Sequence, residues 1–161
     1  IGAYCANWML TDNIMAQNTV NLLLSDAVFS SSNNISIDTS NRVEGKRVFF
    51  VANKGQDGTE TLIDASSEAG VIMVGNSKNV TIRGPLVLSP RNSAGVYLYN
   101  TQSATVENVQ VTGASYGIWV RASSRLYSLA FSMAMAACSA NNSKRRTSLL
   151  PNSPARDWLS R

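Results

Sequence analysis

The chain contains no histidine. That absence removes the commonest general base, the commonest metal ligand and every His-based nucleophilic triad in one step. Ser and Thr are plentiful, yet no partner base accompanies them. Cysteine is nearly absent as well: Cys5 and Cys138 are the only two. They are too few and too far apart for a zinc-type cluster, and the simpler reading is two unpaired, small apolar side chains. Long apolar runs are missing too. The longest, Leu126 to Cys138 with serines through it, falls well short of the roughly 20 residues a membrane-spanning helix needs. The expectation is therefore no metal, no cofactor and no membrane span.

Charged residues make up only 15% of the chain and apolar residues 44%, a balance that suits one folded domain and argues against disorder. The chain opens on Ile-Gly-Ala-Tyr with neither an initiator Met nor a basic-then-apolar leader, which reads as a chain whose signal peptide has been removed or, the preferred expectation, a fragment of something longer. The net charge of +4 is unevenly placed. From Arg121 onward seven Lys and Arg stand against Asp157 alone, so the basic character belongs to the end of the chain. The body before Arg121 is slightly acidic, and no nucleic-acid partner is expected for it.

What the sequence does have is repetition. Gly70-Val-Ile-Met-Val, Gly95-Val-Tyr-Leu-Tyr and Gly117-Ile-Trp-Val-Arg recur at intervals of 25 and 22 residues. Between them lie Asn76-Ser-Lys-Asn-Val-Thr-Ile and Asn100-Thr-Gln-Ser-Ala-Thr-Val, leading into Leu86/Leu88 and Val109/Val111. A looser copy begins at Ser32-Asn-Asn-Ile-Ser-Ile, with Val48/Phe50 further on. Each unit holds two or three short strands with period-2 alternation, separated by Gly, Asn and Ser turns. No segment is long enough for crossover helices, so successive coils stack in parallel. The predicted fold is all-β: a right-handed, single-stranded parallel β-helix of about five short coils over residues 1–124.

The glycines, taken as equivalent positions, predict the side-chain columns. Val71, Val96 and Ile118 form one inward ladder; Met73, Leu98 and Val120 form its neighbour. Ile72, Tyr97 and Trp119 then point outward, beside Val74, Tyr99 and Arg121. Asn76 and Asn100 occupy equivalent corners, where stacked amides hydrogen-bond along the column.

The phrases NVTIRG, SATVENVQVTGASYGIWV and VEGKRVFFVANKGQDGT resemble the parallel β-helix repeats of NosD-like and pectate-lyase-like surface proteins. The likeness covers about Leu10 to Arg121. It implies a β-helix in an exported protein, extracellular, surface-attached or periplasmic, of a carbohydrate-binding or sugar-hydrolase type. Copper, which the NosD name suggests, is not carried over, because two distant cysteines and no histidine offer no ligand set.

Residues 125–161 depart from the pattern. Leu126, Leu129, Met133 and Ala137 fall at helical spacing and predict a cap helix over the open end of the coils. The alternative is that this basic tail, with Lys144-Arg145-Arg146, is an irregular or non-native end.

Chemistry is harder to find. Asp57, Glu60, Asp64 and Glu68 are the densest acids, in a segment expected to project as a solvated loop. Arg83 and Arg91 read as surface charges. The strongest candidate is the outward aromatic column. Tyr97, Tyr99 and Trp119 offer flat faces on which sugar rings stack, with Arg121 and Asn100 as hydrogen-bond donors. The alternative for these rings is packing beneath a loop. Three functions remain open: a non-catalytic spacer or glycan-binding segment, which is preferred; a fragment of a polysaccharide lyase or glycoside hydrolase; and a structural module assembling end to end.

Overall fold

A computed structural model of the chain describes residues 7–29, 34–92 and 94–133. Cys5, Cys138 and the tail beyond Met133 lie outside the described residues. Among the described residues twelve strands run in order: β1 (Met9–Leu10), β2 (Ile14–Met15), β3 (Ser36–Ile37), β4 (Arg42–Val43), β5 (Lys46–Ala52), β6 (Thr61–Ile63), β7 (Ala69–Gly75), β8 (Lys78–Leu88), β9 (Ala94–Tyr99), β10 (Gln102–Val111), β11 (Tyr116–Arg121) and β12 (Ser124–Met133). They form a β-solenoid of about five stacked coils. One wall is a six-stranded sheet in the order β11-β9-β7-β5-β4-β2, another a four-stranded sheet β12-β10-β8-β6, and β1 pairs with β3.

The parallel stacking inferred from the repeat holds from β5 onward. Ile118 pairs with Val96 and Val120 with Leu98, in parallel register. One coil earlier the glycine-based columns are wrong by one residue: Val96 lies beside Ile72, Tyr97 beside Met73 and Leu98 beside Val74. The inward ladder is therefore Phe49, Ile72, Val96 and Ile118, with Val51, Val74, Leu98 and Val120 next to it. A shift of one residue exchanges the two faces of a strand, so Met73, not Ile72, shares the outer column with Tyr97 and Trp119.

The corner sets this register. Asn53, Asn76, Asn100 and Ala122 all adopt left-handed backbone, with φ between 45° and 58°, a conformation Asn tolerates better than other non-glycine residues. The N–H groups of the three asparagines reach the next coil: Asn53 to the Gly75 carbonyl, Asn76 to Tyr99 and Asn100 to Arg121. Just past the corner, Ser77 and Thr101 are buried, and with Ser123 they use their hydroxyls to satisfy turn backbone.

Among the described strands of the six-stranded sheet direction reverses at one place. β4 and β5 form an antiparallel hairpin through Glu44 and Gly45, both at positive φ, as a two-residue type I′ turn requires. β2 and β4 are parallel to each other and so run against β5, β7, β9 and β11 in the same sheet. The first part of the chain thus does not continue the parallel winding expected over residues 1–124.

At the other end, Ser124–Met133 is a strand paired in parallel with β10, so Leu126, Leu129 and Met133 do not lie on the expected cap helix; Ala137 lies outside the described residues. A register shift between Thr105 and Val106 explains the misreading. Leu126 lies opposite Ala104 and Leu129 opposite Val106, so the extra residue Ser128 turns an alternating pattern into a helix-like spacing of three. The segment Thr61–Ile63, expected in a projecting loop, is also part of the coil: β6 pairs with β8 and Ile63 is buried.

Two cores result. The first fills the solenoid interior with Ile72, Val74, Val80, Ile82, Leu88, Val96, Leu98 and Val106, all fully buried. The second lies outside the six-stranded sheet, where Leu22, Leu24, Val28 and Phe29 cover Val48, Val71, Met73 and Tyr97. Residues 16–29, between β2 and β3, form a strap along the outer sheet face, ending in a 3-10 turn at Asp26–Phe29.

Candidate ligand surface

The outer column on β9 and β11 begins as the sequence suggests. Tyr97 pairs with Trp119 and Tyr99 with Arg121, and the Tyr97 and Trp119 rings lie 5.1 Å apart. Most of this row is not open. Tyr97 is only 5% exposed, because the strap sits over it.

Phe29 carries the strap onto the row. Its ring stacks on Phe50 at 5.1 Å and on Tyr99 at 5.7 Å, near-parallel to both. Gly75 makes the space: a Cβ there would lie 2.0 Å from Phe29 Cδ1. The Tyr97 hydroxyl donates to Asp26 Oδ1, and Arg121 Nη1 lies 2.7 Å from Asp26 Oδ2. Burial, followed by the hydrogen bond to the Asp26 carboxylate, pushes the Tyr97 phenol well above its ordinary range.

The row does open at its far end. Tyr116 is 53% exposed and its ring lies 5.2 Å from Trp119. Trp119 is half-buried, and the Arg121 guanidinium stands 5.9 Å from its ring centroid, within cation-π range. Of the five residues read from sequence, Trp119 and Arg121 border this edge. Tyr97 and Tyr99 lie against the strap. Asn100 sits at the corner after β9, where its side-chain amide donates to Asn76 Oδ1 at 2.9 Å. Sequence reasoning missed Tyr116, although it directly precedes the Gly117 that opens the repeat. It also missed Asp26 and Phe29, whose segment carries no repeat signal.

The acids do not converge. Asp57 Oδ1 accepts from the Thr59 backbone and hydroxyl; Asp64 Oδ1 does the same for Ser66, capping a short 3-10 turn. The Thr59 and Ser66 hydroxyls, then their N–H groups, hold the two carboxyls below the usual range. Glu68 lies 3.9 Å from Arg47. Arg83 pairs with Glu107 at 2.5 Å and Arg91 with Glu44 at 3.6 Å. No group of three or more His, Cys, Asp or Glu with metal-binding geometry occurs among the described residues. None of their helices is long and apolar enough to cross a membrane.

Comparison of the chain with family models, curated proteins and solved structures gave no match.

Proposed function

We propose that the chain is a non-catalytic β-helix segment of an exported or surface-attached protein, a stiff spacer that offers one glycan-stacking edge at Tyr116, Trp119 and Arg121. The single observation behind the edge is the uncovered end of the aromatic row: two rings 5.2 Å apart with a guanidinium beside them. A pyranose packs its C–H face on such rings while its hydroxyls take hydrogen bonds from Arg121. Repeat phrases resembling those of NosD-like surface chains support the exported setting. Against catalysis speaks the use of Asp57 and Asp64 in closing their own turns, which leaves these two acids committed to local structure.

Isothermal titration against a panel of neutral and acidic oligosaccharides tests the edge. Heat with at least one glycan, lost in Trp119→Ala, is the expected result; no heat from any glycan removes the binding half and leaves the spacer. A second reading, growth by edge-to-edge pairing, is favoured by the exposed end of the six-stranded sheet, where Ile14 on β2 is 78% exposed. Sedimentation at rising concentration separates it, since a glycan-binding spacer stays at one mass.

A further inference from the structure

The strap meets the solenoid through a compact set of contacts made by the two ends of its 3-10 turn, Asp26 and Phe29. Asp26 takes the Tyr97 hydroxyl and the Arg121 guanidinium. Three residues on, Phe29 stacks between Phe50 and Tyr99 in the space left by Gly75, and its carbonyl accepts from the Asn76 side-chain amide. The receiving residues come from β5, β7, the Asn76 corner, β9 and β11, which are held by parallel ladders and the interior core. The groove is therefore built by the body of the solenoid. The strap only fills it.

The strap's own attachment is of a different kind. Between residues 16 and 29 it adds no strand to either sheet. Asn21 N donates to the Arg91 carbonyl; its side chain donates to Glu44 Oε1 and the Pro90 carbonyl, and Leu22 N donates to Asn92 Oδ1. Leu23 is 57% exposed, and Arg121 is half-exposed where it meets Asp26. Leu22, Leu24, Val28 and Phe29 are buried on the sheet, but with no ladder the strap is held by this one apolar face and its side-chain ties. It opens at lower cost than the coils beneath it, which have both ladders and the interior core.

We propose that the outer face of the six-stranded sheet is a recognition groove for an Asp-x-x-Phe turn, occupied in cis by Asp26–Phe29, and that the strap is a lid able to leave as a unit. Opening extends the exposed aromatic row from Tyr116 and Trp119 to Tyr97, Tyr99 and Phe50. The inference does not rest on glycan binding, and its test contains no sugar.

The full chain is prepared as wild type and as Asp26→Ala/Phe29→Ala. Chymotrypsin cleavage at Leu22–Leu24, located by mass spectrometry, is expected to be roughly tenfold or more faster in the variant, with the β-sheet dichroism retained. A labelled peptide of residues 20–29, VNLLLSDAVF, is then titrated by fluorescence anisotropy. Binding to the variant but not to wild type, abolished when the peptide carries Asp26→Ala/Phe29→Ala, is the expected result. Unchanged cleavage, or a peptide that binds neither protein or both equally, overturns the proposal. Should the double variant lose its sheet signal, Tyr97→Phe/Arg121→Met takes its place in the cleavage assay. That pair removes the partners of Asp26 and keeps the apolar packing, so faster cleavage supports the lid and unchanged cleavage sinks it.

Discussion

The side-chain amide of Asn100 donates to Asn76 Oδ1 one coil below, at 2.9 Å, while both residues hold left-handed backbone at φ 45° and 49°. Two properties of asparagine are used at once, its tolerance of positive φ and its ability to hydrogen-bond to a copy of itself. Asn76→Ala is therefore expected to cost about 3–4 kcal/mol, from about 1–2 kcal/mol of left-handed strain plus about 1 kcal/mol for each of the two side-chain hydrogen bonds lost, with Asn100 and with the Phe29 carbonyl. Asn76→Gly relieves the strain and is expected to cost less than Asn76→Ala. Urea unfolding of the three proteins orders them, and equal losses for Ala and Gly would deny that the backbone conformation matters.

Gly75 and Phe29 are coupled in the same physical sense. Gly75→Ala places a methyl group where the Phe29 ring lies, so the ring must leave. Phe29→Ala removes a fully buried ring and is expected to cost about 3–5 kcal/mol. With the ring gone the methyl group has room, so Gly75→Ala is expected to cost markedly less in the Phe29→Ala background than in wild type. Additive losses in the double-mutant cycle would place the ring elsewhere.

The strap's two ends respond to opposite ends of the pH scale. Glu44 Oε1 accepts from Asn21 Nδ2 and Gln17 N, with Arg91 nearby. The Asn21 bond first, then Gln17 N and Arg91, hold the carboxyl below its ordinary value. A depressed folded value means a contribution that is present above the unfolded value, about 4.3, and lost as pH falls through the folded one. Tyr97 is the reverse case. Its raised value gives a contribution that is complete below the unfolded pKa of about 10 and declines as pH rises beyond it. Strap mobility, read from the spectrum of a spin label at Leu23→Cys with Cys5 and Cys138 changed to Ala, is expected to rise below about pH 4 and above about pH 10. Glu44→Gln should flatten the acid limb and Tyr97→Phe the alkaline limb, each leaving the other unchanged.

How far the sequence carries depends on which contacts are repeated in it. Parallel stacking was legible because Asn76 and Asn100, and Leu86/Leu88 and Val109/Val111, recur at one coil's interval, and a recurring unit must bury its apolar face on its neighbour. Glycine was a poorer register mark than asparagine. Gly70 and Gly95 are not equivalent: Cβ atoms there would meet the β4–β5 hairpin and Val111 respectively, two unrelated packing needs. The strap was illegible for a different reason. Leu22, Leu24 and Phe29 show no period, and the hydrogen-bond partners of Leu22, Asp26 and Phe29 lie 47 to 71 residues away, so nothing local announces that the aromatic column is covered. Tyr116 escaped notice because the repeat was anchored on the glycine that follows it.

The register itself is open to a direct chemical test. In a background with Cys5 and Cys138 changed to Ala, Ile72→Cys with Val96→Cys places two thiols on directly paired positions of adjacent parallel strands. Their side chains point into the same interior. Neighbouring strands lie about 4.8 Å apart, inside the Cα separation a disulfide accepts, and both Cβ vectors leave the sheet on one side. Val71→Cys with Val96→Cys, the pair that glycine alignment would make neighbours, puts the thiols on opposite faces of the sheet, because side chains alternate along a strand. Mild oxidation of the folded protein is expected to link the first pair and leave the second with two free thiols by mass spectrometry. Crosslinking of the second pair instead would move Ile72 to the outer face, put Met73 in the interior with Leu98, and remove the seat on which the strap rests.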